Sequence, residues 1–177
     1  AAERLATAVS EQISSLGMSG GCFSIRLEPH GQDEPNPIGL EEVEFVVALN
    51  PGLPPQPLAK MASGGELSRI SLGIRVVTTR YGRIPTLIFD EVDVGIGGRV
   101  AEIVGRLLRT LGADRQVLCV THLPQVAAMG TEHLQVSKET SHQMTLISLR
   151  HLTPAQRVEE IARMLGGIEI TRQTLAH

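Results

Sequence analysis

The sequence contains no tryptophan, one tyrosine and three phenylalanines in 177 residues. Phe23, Phe45, Phe89 and Tyr81 are too few and too scattered for the stacking platforms that hold single-stranded bases. Two cysteines, Cys22 and Cys119, cannot build a multi-bridge disulfide scaffold and read as reduced thiols, although sequence alone leaves their pairing open. No apolar run approaches the roughly 18 residues of a membrane-spanning helix. The opening AAERLATAVSEQ carries acidic residues and no apolar core, so it does not read as a secretory signal. Together these absences point to a cytoplasmic protein with no membrane partner. Lysine is scarce too: Lys60 and Lys138 stand against fourteen arginines. A phosphate loop of the form G-x-x-x-x-G-K-[ST] must end in lysine. Lys60 follows Pro57-Leu58-Ala59 and Lys138 follows Val136-Ser137, so the sequence holds no such loop.

What is present fits one globular domain, or one lobe of a larger one. Hydrophobic residues make up 42% and charged residues 20%, which excludes collagen-like and disordered classes. Sixteen basic against nineteen acidic residues give net charge −3, which argues against a dedicated basic nucleic-acid face. Arg75, Arg80, Arg83, Arg99, Arg106 and Arg109 make the middle loosely basic, and they read equally as solvated helix surface.

Apolar periodicity places the elements. Leu5, Val9, Ile13 and Leu16 form a helical stripe over residues 1–16, ended by Gly17. That helix leans either on this chain's own core or on a partner helix. CFSIRLE and EEVEFVVAL alternate as neighbouring, antiparallel strands across a polar connection. NPGLPPQPLAK, with four prolines, is extended and excluded from a central strand. From residue 64 the pattern turns to α/β. A helix reaches about residue 80, PTLIF reads as a buried strand, a helix covers 99–111, and QVLCV reads as a second buried strand. A short helix in LPQVAAM, a hairpin turning around residues 139–142, and a helix capped by Thr153-Pro154 and closed by Gly166-Gly167 complete the chain.

Three segments sit where chemistry needs them. In MASGGELSR, Ser63-Gly64-Gly65 opens a helix, leaving backbone N–H groups free for an anion; Ser63 with Glu66 also reads as a plain capping box. In TLIFDEVD, Asp90 and Glu91 end a buried strand, the usual place for active groups in open α/β sheets. One acid can hold Mg²⁺ while the other accepts a proton from water; both also serve as an ordinary strand terminus. In CVTHLPQ, His122 lies just beyond the second buried strand, beside the acid pair if the strands are neighbours. Cys119, His122 and His133 match no usual zinc spacing.

The order of these segments resembles the second half of an ATP-binding-cassette nucleotide-binding domain. More narrowly it is similar to the structural-maintenance-of-chromosomes (SMC) group, and most closely to its bacterial DNA-repair members. The match rests on LAKMASGGELSR, TLIFDEVDVGIGG, RQVLCVTHLPQVAAM and RVEEIARMLGG. It implies an α/β fold, the carboxy-terminal half of a head, with a mostly parallel sheet, flanking helices and antiparallel hairpin strands. Residues 1–16 would be the end of a coiled-coil arm and residues 17–177 the carboxy-terminal lobe. By the same resemblance Ser63, Gly64, Gly65 and Glu66 form the signature that meets ATP on an opposing head. Asp90 holds Mg²⁺, directly or through water, and Glu91 is the general base. Asp93 opens a loop crossing the dimer interface, and His122 is the switch histidine at the γ-phosphate. Val94 and Gly97 depart from the Thr and Ser expected there, which removes two hydroxyl donors. The implied partners are an amino-terminal lobe carrying the missing lysine loop, a second head, and DNA at double-strand breaks in the nucleoid. A transporter-type ATPase subunit and a non-catalytic docking lobe are the competing readings, and a two-metal nuclease lacks the further carboxylates it would need.

Overall fold

The computed structural model describes residues 1–29, 39–78, 84–141 and 144–166. Helix α1 (Ala2–Ser15) leads to β1 (Cys22–Pro29), β2 (Glu41–Ala48) and a two-residue edge strand β3 (Gln56–Pro57). A single 3₁₀ turn over Leu58–Lys60 precedes α2 (Gly64–Thr78). There follow β4 (Thr86–Phe89), α3 (Gly98–Leu111), β5 (Gln116–Cys119), the one-turn α4 (Pro124–Ala127), the hairpin β6 (Leu134–Ser141) and β7 (Met144–His151), and α5 (Pro154–Gly166). The expected helix end at Arg80, the hairpin residue His142, Gly167, and Arg83 of the basic middle lie outside the described residues.

The expectation of a mostly parallel sheet is overturned. Among the described residues β1, β2 and β3 form an antiparallel sheet, β6 and β7 an antiparallel hairpin, and only β4 and β5 pair in parallel. A parallel pair needs a crossover. Among the described residues only α3 supplies one between paired strands, whereas β1–β2 and β6–β7 return directly on themselves.

α1 ends as its glycine requires. Gly17 takes φ +87°, and the Met18 N–H returns to the Ile13 carbonyl at 3.3 Å, closing the last turn in the left-handed manner. Its stripe faces this chain: Val9, Ile13 and Leu16 are fully buried with Phe23, Val47, Ile70 and Leu72. α1 and α2 pack together at Gly73, where a Cβ would meet Gln12 and Ile13 side-chain carbons at 3.4 Å, an ordinary contact distance.

The same core takes Leu87 and Phe89 from β4 and Ala101, Val104, Leu108 and Leu111 from α3. The continuous apolar runs of β4 and β5 suggest burial on both faces, yet Ile88, its partner Leu118, and Val120 are exposed on the outer one. α5 opens with a capping box: Thr153 Oγ1 accepts the Gln156 N–H at 3.4 Å and Gln156 Oε1 accepts the Thr153 N–H at 3.0 Å. Among the described residues no helix is long and apolar enough to cross a membrane.

Candidate functional site

The site is organised by one turn, residues 91–97. It lies between the start of α2 on one side and the β5–α4 junction on the other.

At the α2 side, Ser63 acts as the cap. Its carbonyl accepts the Leu67 N–H at 3.0 Å and its hydroxyl accepts the Glu66 N–H at 3.4 Å. Of the two glycines beside it, Gly65 is the one the turn requires, since a Cβ there would lie 3.1 Å from both Cβ and the carbonyl oxygen of Val94, whereas a Cβ on Gly64 would meet only Oε2 at the flexible end of Glu91. Arg69, one turn further along α2, is buried and donates from Nη1 to that same Val94 carbonyl at 2.6 Å. Burial holds its pKa below the usual arginine value, with Glu66 acting in the opposite sense. Ser68 ties the helix to the strand end by donating to the Asp90 carbonyl at 2.8 Å.

β4 delivers Asp90 and Glu91 exposed at its carboxyl end. Asp90 Oδ1 accepts the Glu91 N–H at 2.9 Å, and Glu91 adopts a left-handed φ of +58°. The two acids therefore serve different directions. Glu91 turns onto the helix end of α2, where a negative group is favoured by the unpaired N–H groups and the dipole. Asp90 has one oxygen engaged by this N–H. Among the described residues no three His, Cys, Asp or Glu side chains gather as a metal cage. A single exposed carboxylate fits a magnesium ion whose remaining ligands are water and phosphate oxygens.

At the other side, parallel pairing of Phe89 with Cys119 sets the two strand ends together, and Val120 N–H bonds to the Phe89 carbonyl at 2.9 Å. Asp93 is buried at 2% exposure. Its Oδ2 accepts the Thr121 hydroxyl, takes the His122 N–H at 3.1 Å and lies 3.3 Å from His122 Nδ1, while the His122 ring is largely exposed. Cys119, just upstream, is a free thiol, as is Cys22.

Gly64 and Gly65 thus meet Glu91 and Val94 on one flank, next to the capping Ser63, and Asp93 meets His122 on the other; Glu66 and Asp90 occupy the adjoining helix turn and strand end. Sequence reasoning did not single out Arg69, Ser68 or Thr121. Arg69 was detectable as a lone charge immediately before the apolar Ile70 of the helix stripe. Thr121 had no such signal.

The lobe that holds this serine-capped, glycine-started helix, acid-ended strand and histidine junction has the fold of part of an SMC head. The chain superposes on a crystal structure of the Smc head domain with a coiled coil and joint from Pyrococcus yayanosii, with TM-score 0.62 and 20% identity, covering 90% of this chain and 28% of that one. A structure from work on ATP-driven dimerization and DNA-stimulated activation of SMC ATPases matches with TM-score 0.52 and 20% identity over 91% of this chain and 92% of that one. In sequence, the DNA repair protein RecN of Xylella fastidiosa (strain 9a5c) is 52% identical over 99% of this chain. No family model matches. The chain belongs to the bacterial RecN family, as part of an SMC-like head. It spans about a third of the length of these relatives, 32% in the Xylella case.

Proposed function

We propose that the chain is the carboxy-terminal lobe of an ATP-hydrolysing head that acts in DNA double-strand-break repair on nucleoid DNA. Residues 17–177 form the lobe and α1 is the end of a coiled-coil arm entering it. ATP sits between two such heads. The observation that carries this reading is the 91–97 turn, which joins the glycine start of α2 to the acid-ended strand and the histidine junction in one rigid group.

In this reading the amino-terminal lobe of the same protein supplies the lysine loop, which no lysine of this chain ends. The exposed Ile88, Leu118 and Val120 on the outer face of β4–β5 are the surface it covers. Ser63, Gly64, Gly65 and Glu66 present the α2 start to the γ-phosphate bound by the opposing head. Asp90 would hold Mg²⁺, directly or through water, and the ion would neutralise phosphate charge. Glu91 leaves its resting place on α2 to accept a proton from the attacking water. His122 contacts the γ-phosphate. Asp93 opens the loop to the partner head, and because its carboxylate is turned inward, the backbone of residues 94–97 makes that contact. Binding ATP closes the heads around DNA and hydrolysis releases them.

The test uses the head reconstituted with its amino-terminal lobe. Glu91→Gln should slow single-turnover hydrolysis about 10²–10⁴-fold, the usual range for general-base help, while ATP-dependent dimers accumulate. Asp90→Asn should instead weaken Mg-ATP binding and leave fewer dimers. Hydrolysis at the wild-type rate in Glu91→Gln would overturn the assignment.

A further inference from the structure

Asp93 is the one aspartate inside the protein among the described residues, at 2% exposure. A carboxylate is taken out of water at a large cost unless its oxygens are hydrogen-bonded. Every contact on Asp93 Oδ2 comes from a single place, the Thr121–His122 junction: the Thr121 hydroxyl, the His122 N–H at 3.1 Å and the His122 ring at Nδ1, 3.3 Å away. Thr121 completes the knot, since its Oγ1 also accepts the Leu123 N–H at 3.0 Å and so fixes the entry into α4. No Lys or Arg pairs with Asp93 among the described residues. A buried carboxylate oxygen with three contacts at one junction holds that junction in place.

We infer that Asp93 is a positioning residue for His122: it anchors the ring at the end of β5, keeps the imidazole proton on Nδ1, and leaves Nε2 as the nitrogen presented outside. The tautomer follows from electrostatics. A carboxylate oxygen 3.3 Å from Nδ1 attracts an N–H and repels a lone pair, and the partner of one ring nitrogen decides what the other can do. Neutral His122 then offers an acceptor at Nε2, and protonated His122 offers a donor there. The link to catalysis rests on the ATPase reading above; the orientation of the ring does not.

Two measurements separate these parts. In the 177-residue chain, long-range ¹H–¹⁵N correlation, at a pH where the histidines are neutral, should find the His122 proton on Nδ1. A proton on Nε2 in the wild type would overturn the proposal without any variant. Asp93→Asn should shift the population toward Nε2–H and move the Thr121 and His122 amide signals, and unchanged signals would equally overturn it. In the reconstituted head, Asp93→Asn should slow hydrolysis by about 10–100-fold, taking the scale found when the partner that orients a metal-bound histidine is removed. In the His122→Ala background the same change should have a much smaller effect on hydrolysis, because Asp93 acts on the reaction chiefly through that ring. Additive losses would mean that Asp93 serves the fold or another group, and would overturn the proposal. A wild-type head that fails to hydrolyse ATP, with His122 still protonated on Nδ1, would instead sink the ATPase reading and leave the orientation standing.

Discussion

Glu91 folds its carboxylate over the first turn of α2 so closely that Oε2 fills the space a Cβ on Gly64 would need. The contact is made possible by the left-handed backbone of Glu91, at φ +58°, a conformation uncommon outside glycine. A non-glycine residue held there costs on the order of 1 kcal/mol, so the surrounding turn must hold it.

Replacing Gly64 by Ala tests that contact. In an exposed helix the change usually gains up to about 1 kcal/mol, because glycine loses more backbone freedom on folding. Here the new methyl group must push aside the flexible end of Glu91, a small cost, so Gly64→Ala should gain less than that in urea unfolding. In a Glu91→Ala background the usual gain should return. The double-mutant coupling is expected at the lower end of about 0.5–3 kcal/mol, and equal effects in both backgrounds would show that the two residues do not meet.

Arg69 makes a second prediction about the same turn. Its guanidinium is buried beneath the helix start and its Nη1 holds the Val94 carbonyl at 2.6 Å; among the described residues its Nε has no hydrogen-bond partner. A hydrogen bond to a charged group contributes about 1.5–3 kcal/mol, from which the desolvation of the guanidinium must be subtracted. Arg69→Met should therefore cost less than that range. It should also raise hydrogen exchange across residues 94–97 while leaving β1 and β2 protected. Lysine should not restore the loop, having neither the reach nor the fork of arginine. Unchanged exchange at 94–97 would remove Arg69 from this role.

These details mark the limit of what the sequence discloses. The helices and strands were readable because their apolar periods are regular: Val9 and Ile13 on α1, Leu87 and Phe89 on β4, and Val104, Leu108 and Leu111 on α3 all point inward. Ser63, Asp90 and His122 were readable as candidates because each stands at the end of such a run. The antiparallel pairing of β1 with β2 and the β6–β7 hairpin were readable from the short polar connections between the strands; the overall balance of parallel and antiparallel pairing was not, since alternation along a strand specifies its face and says nothing of its partner. The open face at Ile88 and Leu118 was hidden for a related reason: an apolar residue signals that a surface needs covering, not which chain covers it. The inward turn of Asp93 depends on Thr121, 28 positions away, and no local pattern encodes that pairing.

The two thiols should differ sharply in reactivity. Cys22 is exposed, whereas the Cys119 thiol is pushed up to about 12 by burial, then by the negative charges of Asp93 and Asp90. The thiolate is the reacting species, so Cys119 has almost none at neutral pH. A thiol reagent should modify Cys22 quickly in the native chain and Cys119 only after denaturation, with mass mapping identifying each. Comparable native rates would contradict the placement of Cys119 beside the acid cluster.

Acid should destabilise the region around α5 in two stages. Glu160 is drawn below its ordinary value of 4.5, first by hydrogen bonds from Arg163 at 2.8 and 2.7 Å, against the desolvation that raises it; the charge of Arg163, the Gln135 amide at 2.7 Å and His133 add to the lowering. His133 is drawn below 6.5 by burial and by Arg157, with Glu160 opposing. Both groups bind protons more weakly in the folded chain than in the unfolded one. The unfolded state therefore takes up protons first as pH falls, and stability declines. The contribution of His133 is complete above about 6.5 and is lost below it, whereas that of Glu160 is complete above about 4.5 and is lost as pH falls through its folded value. Thermal unfolding across this range should show two successive losses. Glu160→Gln should lower Tm at neutral pH and flatten the lower limb, so that its curve converges with wild type in acid. His133→Gln should flatten the upper limb alone. Curves that stay parallel to wild type throughout would show that neither group carries the pH dependence, because a side chain that no longer titrates cannot leave the slope unchanged if it was the source.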